Sequence, residues 1–147
     1  MVKVREARFE DIALMELREP DRQEVLALGA EPQEALQISF QNSTMAFTAF
    51  NNGNILAMFG VAPTTLLGDR ATVWLLTTNE ANLCKKTFAK YSRLFRDYFL
   101  QHYPILENYV DARYKMSINW LKWCGAELDH TIITPSGIPF IHFTIKR

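Results

Sequence analysis

The stretch from residue 74 to residue 95, WLLTTNEANLCKKTFAKYSRLF, decides how this chain folds. Its first residues are apolar, and the run from about Asn79 to His102 then carries apolar side chains at helical spacing. Lysine and arginine occupy the opposite side, as is typical of a helix with one buried and one solvated face. The sequence therefore predicts a strand over residues 71–77 that leads into a long basic helix. The apolar stripe of that helix comprises Cys84, Phe88, Tyr91, Phe95 and Tyr98.

The preceding part of the chain indicates a strand, three short helices and a hairpin. Val2, Val4 and Ala7 indicate the strand, and EDIALMEL, PDRQEVLALG and PQEALQISF indicate the helices. Asn52-Gly53 stands between two apolar runs and is the strongest short-range hairpin signal. We therefore expect residues 44–63 to form a β-hairpin.

The part of the chain after the long helix indicates further strands around one helix. ENYVDARY predicts a strand, KMSINWLKWCG predicts a helix that ends at Gly125, and AELDHTIIT with IPFIHFTIKR predicts two closing strands. The whole order is β-α-α-α-β-β-β-α-β-α-β-β. It predicts an α/β fold of the α+β kind, with a mixed, mainly antiparallel central sheet and helices on both faces.

Length and charge favour one ordinary domain spanning residues 1–147. Apolar residues make up 48% of the chain, and 16 basic residues balance 16 acidic ones. Because the net charge is zero, we do not expect the chain to attract nucleic acid or anionic membranes. No apolar run approaches the roughly 18 residues of a membrane span, and the charged start MVKVREARFEDI does not resemble a signal peptide. We expect a soluble protein that is made in the cytoplasm.

The spacing of cysteine and histidine residues predicts no metal site. Cys84 and Cys124 belong to no Cys-x-x-Cys pair, and His102, His130 and His142 lie far apart in the sequence. Free cysteines are usually buried, so we expect two reduced, buried thiols. The chain also lacks a Walker loop and the GxGxxG and GxSxG motifs.

The element order, the Asn-Gly hairpin and the closing segment INWLKWCGAEL resemble the GCN5-related N-acetyltransferase family over essentially the whole chain. This resemblance implies acetyl-CoA as the cofactor, with its pyrophosphate held by backbone N–H groups of a glycine-rich turn at a helix start. The corresponding turn, Thr78 to Cys84, contains no glycine. Glu80 also places a negative charge where the pyrophosphate would lie.

Candidate cofactor contacts nevertheless flank this turn. If the resemblance extends to acetyl-CoA binding, it implies contacts from the strand end at Leu76, Thr77 and Thr78 and from Lys85 and Lys86 at the start of the helix. A competing interpretation makes Thr77 or Thr78 a helix cap. The lysines have a competing interpretation as part of a solvated helix face.

The resemblance also implies a tyrosine four residues before the glycine that ends the last helix, where it protonates the leaving thiolate. Gly125 places Leu121 at that position, and leucine cannot donate a proton. Tyr114 and Ser117, at the entry to the same helix, are the nearest substitutes. Aromatic packing and helix capping are the competing interpretations of these two side chains.

A general base that deprotonates an incoming amine is the second catalytic requirement. The strand over residues 71–77 contains no acid. Asp111, on the neighbouring predicted strand, and Asp69 are the remaining candidates. Each has a competing interpretation as an ordinary surface aspartate.

The run from LTTNEANLCKK to INWLKWCGAEL, with the ending FIHFTIKR, also resembles the internal virion protein A family of short-tailed lytic phages, over roughly residues 70–147. The shared features are the strand-to-basic-helix junction, the NYV strand and the closing helix from Trp120 to Ala126. The resemblance implies an acetyltransferase-like fold without clear catalytic signatures. It also implies virion or host proteins as partners, and a location in the host cytoplasm or the phage particle.

Two functions therefore stand open. One is a phage interaction protein on a degenerate acetyltransferase scaffold, and the other is a working acetyltransferase with Tyr114 as the acid. The gap between strands 71–77 and 107–113 distinguishes them, because the family admits the pantetheine arm of the cofactor there. A gap plugged by Trp74 or Tyr109 would exclude it.

Overall fold

The computed structural model describes all residues from Met1 to Arg147 and contains one seven-stranded sheet. The strand order is β1-β2-β3-β4-β5-β7-β6, and every neighbouring pair is antiparallel except β4 and β5. This arrangement confirms the predicted mixed, mainly antiparallel sheet. The strands are β1 (Val2–Glu6), β2 (Met45–Asn51), β3 (Asn54–Pro63), β4 (Arg70–Thr77), β5 (Ile105–Asp111), β6 (Glu127–Ile133) and β7 (Phe140–Lys146).

Helices cover both faces of the sheet, as predicted. One buried cluster joins Leu36 to Met58 and Trp74, and another, on the opposite face, contains Phe99 and Leu121. No helix is both long enough and apolar enough to span a membrane. The α-helices are α1 (Glu19–Ala27), α2 (Pro32–Asn42), α3 (Lys85–His102) and α4 (Lys115–Trp123), and two 3-10 helices span Phe9–Leu14 and Asn79–Leu83.

The segment after β4 differs from the single long helix that the sequence predicts. A 3-10 helix occupies Asn79–Leu83, and the α-helix begins only at Lys85. Cys84 separates the two with φ −141° and ψ 47°, which is not a helical conformation. Thr78 caps the 3-10 helix because its hydroxyl accepts the Glu80 N–H, so the predicted capping role is confirmed for this threonine.

The buried side of α3 also differs in one position from the predicted stripe. Phe99 is buried, whereas Tyr98 is 40% exposed. The helical period of 3.6 residues accounts for the shift, because Phe88, Phe95 and Phe99 follow one another at spacings of seven and four residues. The helix therefore packs on the sheet through its phenylalanines.

Two glycines set the geometry of the hairpin and of its neighbour β4. Asn52 and Gly53 have φ values of 51° and 84°, as the predicted two-residue hairpin turn requires. At Gly60 a Cβ atom would lie 2.4 Å from the Met45 carbonyl oxygen and 3.1 Å from Trp74 Nε1. The missing side chain at residue 60 therefore leaves room for the indole of Trp74 above β3.

Candidate functional site

β4 and β5 run side by side at one end and separate at the other. Their ladder pairs end at Thr72 and Glu107, although β4 continues to Thr77 and β5 continues to Asp111. A wedge-shaped gap therefore opens in the middle of the sheet. We call this gap the wedge.

Alternate residues of β4 direct their backbone groups into the wedge. The Thr78 N–H donates to the Leu56 carbonyl of β3. Because hydrogen-bonded pairs alternate along an antiparallel ladder, the even-numbered residues of β4 direct their backbone N–H and C=O groups toward β3. The odd-numbered residues face β5 instead. Those beyond the last ladder pair are Val73, Leu75 and Thr77.

The side chain of Asn108 closes the narrow end of the wedge. Its Nδ2 donates to the Val73 carbonyl oxygen at 2.7 Å, and its Oδ1 accepts the Tyr109 N–H at 2.7 Å. One side-chain amide thus stands between the two strands in the manner of a peptide group. The Val73 carbonyl therefore already accepts a hydrogen bond from within the chain.

The segment that leads into α1 closes the far end of the β4 edge. Both the N–H and the hydroxyl of Thr77 donate to Asp21 Oδ2 at 2.6 Å, and the Arg18 N–H donates to the Thr77 carbonyl at 2.9 Å. Leu17 forms a β-bridge with Thr78 beside these contacts. We call residues 17–21 the strap. Leu75 is the one residue whose backbone N–H and C=O groups face the wedge without a hydrogen bond from β5 or from the strap.

Trp74 and Tyr109 do not plug the wedge. Trp74 Nε1 donates to Ser43 Oγ at 2.7 Å, which places the indole over β3 and away from β5. The Tyr109 ring lies 5.1 Å from the His142 ring on β7 and therefore leans away from β4. The groups that contact the β4 edge of the wedge are instead the Asn108 amide and the strap.

The turn from Thr78 to Cys84 is closed by its own hydrogen bonds. The N–H groups of Glu80 and Ala81 donate to Thr78, and the Cys84 N–H donates to Ala81. The Glu80 carboxylate accepts from Asn51 Nδ2 at 3.1 Å, and Asn54 Nδ2 lies 3.5 Å from the same oxygen. A pyrophosphate would find these donors occupied and a carboxylate held beside them, so the turn does not fit that group.

The other predicted cofactor residues lie on different surfaces. Leu76 packs its side chain against the core beneath α1 and α2, and its pairing with Met58 turns its backbone toward β3. Lys85 and Lys86 are exposed, and no salt bridge involves either residue. The first turn of α3 also lacks an acid and a side-chain cap. A role for the two lysines in phosphate binding stays a prediction.

Tyr114 and Ser117 lie at the start of α4, as the sequence predicts. Tyr114 is the residue that precedes the helix, and the Arg113 guanidinium lies 5.3 Å from its ring centre. Neither hydroxyl makes a hydrogen bond within the chain. Leu121 is buried in the core between α3 and α4. The proposed role of either hydroxyl as a proton donor stays a prediction.

The two aspartates that the sequence singled out have different environments. Asp111 is fully buried, which corrects its interpretation as a surface residue, and Arg113 Nη2 contacts its Oδ2 at 2.7 Å. Arg113 Nε also reaches the carboxylate, at 3.0 Å. Asp69 is exposed and accepts from the Thr65 hydroxyl at 3.0 Å. It precedes β4 at the paired end of the two strands, away from the wedge.

Glu24 is a candidate that sequence reasoning missed. It lies one helical turn after Asp21 on α1, close enough to Asp21 and Asp111 to feel both charges. Burial raises the pKa of Glu24 to about 7, and repulsion by these two carboxylates adds to the rise. A carboxyl group that titrates near neutral pH is suited to act as a general base. In the sequence it is one acid among several on an acidic helix, so no pattern distinguished it.

Trp120 contributes a second feature without a sequence signal. Its Nε1 is buried and makes no hydrogen bond, while its ring lies 6.1 Å from that of Phe88 on α3. An unpaired buried donor in the layer between α3 and α4 is uncommon in folded proteins. No group of three or more His, Cys, Asp or Glu side chains is placed to hold a metal ion.

Comparisons with known proteins give structural matches alone. No protein-family model matches the chain, and no curated protein matches its sequence. Aminoglycoside acetyltransferase AAC(6')-Ib, solved in complex with coenzyme A, is 16% identical with a TM-score of 0.70, and the match covers 100% of this chain and 95% of that one. A chimera of spermidine N-acetyltransferase SpeG from Vibrio cholerae and hSSAT is 11% identical with a TM-score of 0.69, covering 99% and 95%.

The chain has the GCN5-related N-acetyltransferase fold. A ribosomal-protein-alanine N-acetyltransferase from Escherichia coli supports the same conclusion, with a TM-score of 0.66 at 14% identity over 99% of this chain and 94% of that one. At such low identity the likeness establishes the acetyltransferase fold alone. Within this fold, the wedge corresponds to the gap where the resemblance places the pantetheine arm.

Proposed function

We propose that this chain is a phage protein that uses the acetyltransferase fold as a scaffold for binding virion or host proteins and does not transfer acetyl groups. The observation that supports the proposal is that groups of the chain itself make hydrogen bonds at most of the positions where the resemblance implies acetyl-CoA contacts. Asn108 and the strap make hydrogen bonds to backbone groups of β4, and the Glu80 carboxylate is held at the turn by Asn51. The phage assignment rests on the sequence resemblance over residues 70–147.

Opening the β4 edge for a cofactor carries a free-energy cost. The two hydrogen bonds from Thr77 to the Asp21 carboxylate would have to break, and hydrogen bonds to charged groups contribute roughly 1.5–3 kcal/mol each. Repulsion between Glu80 and a pyrophosphate adds a further cost, of about 1 to 4 kcal/mol per charge pair near 4 Å at a solvated surface. Both terms oppose cofactor binding at the place where the family requires it.

A second candidate function is an acetyl-CoA-dependent N-acetyltransferase that acts on an amine of a protein or a small molecule. The pKa of Glu24, raised to about 7, favours this function because a nearly half-ionised carboxylate can take a proton from an ammonium group. The backbone groups of Leu75, which neither β5 nor the strap reaches, add hydrogen-bonding capacity in the wedge. The three structural neighbours carry the names of enzymes for spermidine, aminoglycosides and a ribosomal-protein alanine, all of which present amines.

Calorimetric titration of acetyl-CoA and of free CoA into the purified protein tests the two functions. We expect no binding heat from the natural chain at low salt. Micromolar binding that disappears in Lys85→Ala/Lys86→Ala, but persists in the control Lys146→Ala, would overturn the scaffold proposal. Turnover of an amine substrate that falls in Glu24→Gln would support the second function.

A double variant tests why the natural chain does not bind the cofactor. Asp21→Ala removes the carboxylate that occupies Thr77, and Glu80→Gln removes the charge in the turn. If these groups are what excludes acetyl-CoA, the double variant binds it measurably better than the natural chain. A double variant that also gives no binding heat with acetyl-CoA would show that another feature excludes this cofactor.

A further inference from the structure

The helices that precede β2 present an acidic surface. Residues 1–34 hold nine acids against five bases. The same helices also expose apolar side chains, with Leu14 59% and Ile38 49% exposed. We call this surface the acidic face. Its exposed acids include Glu10, Glu16, Glu19, Glu31 and Glu34.

α3 presents a basic surface. Its exposed bases make no salt bridge, and the nearest acid in the helix, Asp97, is held by Arg96. Leu94 is 52% exposed on the same helix. We call this surface the basic face. Its exposed bases are Lys85, Lys86, Lys90 and Arg93.

A cation–aromatic contact stiffens the edge of the basic face. The Arg93 guanidinium lies 3.4 Å from the centre of the Trp123 ring, and Arg93 Nη2 also donates to the Trp123 carbonyl at 3.0 Å. Trp123 is nevertheless 42% exposed. An exposed tryptophan held in one orientation by arginine is the type of residue that dominates protein interfaces.

The two faces lie on opposite sides of the sheet. The core cluster beneath α1 and α2 contains Met58 and Trp74, whereas the cluster beneath α3 contains Phe99 and Leu106. Each face combines exposed apolar side chains with an excess of charges of one sign, and the two excesses are opposite. The excess is not complete, because Arg8 and Arg22 are exposed among the acids and Asp97 is exposed on α3. Contact between the two faces would bring the exposed glutamates of one copy to the exposed lysines and arginine of the next.

We propose that copies of this chain associate head to tail, the acidic face of one copy docking on the basic face of the next. The inference rests on the proposed role as an interaction scaffold and names a second copy as the partner. Charge complementarity selects that partner, because a foreign acidic or basic protein would match only one of the two faces. Since the joined surfaces differ and lie on opposite sides, the contact is heterologous and builds a ring or a filament.

Sedimentation velocity across a range of salt concentrations tests the proposal. We expect the natural chain to sediment as assemblies at low salt and to dissociate toward the monomer as salt screens the contact. Two charge-reversed variants should each stay monomeric at low salt. One carries Lys85→Glu, Lys86→Glu and Lys90→Glu, and the other carries Glu10→Lys, Glu16→Lys and Glu34→Lys.

Sedimentation of a mixture of the two charge-reversed variants is the decisive measurement. The first has acids on both faces and the second has bases on both, so the mixture should associate although neither variant does so alone. Lys146→Glu, a charge change on β7 outside both faces, should leave assembly unchanged. Circular dichroism confirms that each variant is folded before it is compared.

Two outcomes would overturn head-to-tail association. One is a natural chain that remains monomeric at every salt concentration, and the other is an assembly that resists both salt and charge reversal. Either outcome leaves the scaffold role intact, because that role stands or falls on the calorimetric titration of acetyl-CoA. Association together with tight acetyl-CoA binding would refute the scaffold role alone.

Discussion

Asn108 Nδ2 donates a hydrogen bond of 2.7 Å to the Val73 carbonyl, at the point where β4 and β5 separate. The same amide accepts the Tyr109 N–H, so one side chain satisfies a backbone group on each strand. Replacing Asn108 with alanine would leave both groups unpaired at the edge of the wedge. We expect Asn108→Ala to lower the free energy of unfolding by about 1–3 kcal/mol, measured by urea denaturation.

Asn82→Ala is the matched control for this substitution. Asn82 is exposed and makes no side-chain hydrogen bond, so the change should stay within about 0.5 kcal/mol of the natural chain. Equal denaturation midpoints for the two variants would show that the Asn108 amide does not hold the strands together.

Asp11 should make stability fall in acid. Burial alone would raise the pKa of this carboxyl, but hydrogen bonds from Arg5, the Arg8 N–H and Thr48 outweigh it and lower the pKa to about 2. The contribution is therefore complete above pH 4 and is lost as the pH falls through 2. The shift from 3.8 corresponds to about 2 kcal/mol, which Asp11→Asn should remove at neutral pH.

Denaturation at neutral pH and near pH 2 checks this expectation. The exposed Glu10 next to Asp11 provides the control, since Glu10→Gln should alter neither the stability nor its acid limb. An Asp11→Asn variant as stable as the natural chain at neutral pH would contradict the role of this hydrogen-bond network.

Glu24 should have the opposite effect on stability. Burial raises its pKa from 4.5 to about 7, with help from Asp21 and Asp111, so the folded state holds the proton more tightly than the unfolded chain. Stability therefore declines as the pH rises from 4.5 through 7. We expect Glu24→Gln to stabilise the protein by roughly 1–3 kcal/mol at pH 8, with little effect below pH 4.5.

Thermal or urea unfolding at these two pH values measures the difference. Glu19→Gln, an exposed change on the same helix, should show no such dependence on pH. A destabilised Glu24→Gln variant at pH 8 would mean that the ionised carboxylate makes a favourable contact in the folded chain.

His142 should stabilise the β5-β7-β6 part of the sheet below neutral pH. Burial lowers its pKa, but hydrogen bonds to Asp129 at 2.5 Å and Glu107 at 2.9 Å outweigh it and raise the pKa above 6.5. Only the imidazolium can donate to both carboxylates at once. The contribution is therefore complete below pH 6.5 and is lost as the pH rises through the folded pKa.

Hydrogen exchange of β6 amides at pH 5.5 and pH 8.5, corrected for intrinsic exchange, measures this loss. Protection should decrease at the higher pH in the natural chain and should be low at both in His142→Gln. His102→Gln, at the exposed end of α3, serves as the control. Protection that does not depend on pH in the natural chain would contradict this role of the contacts from His142 to Asp129 and Glu107.

The elements of the fold could be predicted because their signals are local. Asn52-Gly53 specifies its hairpin through backbone conformations that few other residue pairs adopt. Hydrophobic periodicity likewise located α3, since burial repeats with the helical period. The break at Cys84 escaped this reasoning because a capped 3-10 turn and the first turn of an α-helix have the same apolar spacing.

The candidate site could be predicted only in part. The missing glycines and the charge of Glu80 are visible in the sequence, and the structure shows that side chain held by Asn51. The amide of Asn108 and the carboxylate of Asp21 gave no signal, because their partners lie 35 and 56 residues away. Contacts of that range depend on how the strands and helices are assembled.

The sequence by itself determined the strands, the helices and the acetyltransferase-like arrangement, because turn residues and periodicity act over a few neighbours. Only the tertiary structure decided how the wedge is closed and which acid is perturbed. The pKa of Glu24 depends on burial and on the distance to Asp21 and Asp111, and both are consequences of packing. Tertiary packing brings the strap to Thr77, so the hydrogen bonds along the wedge form only in the assembled fold.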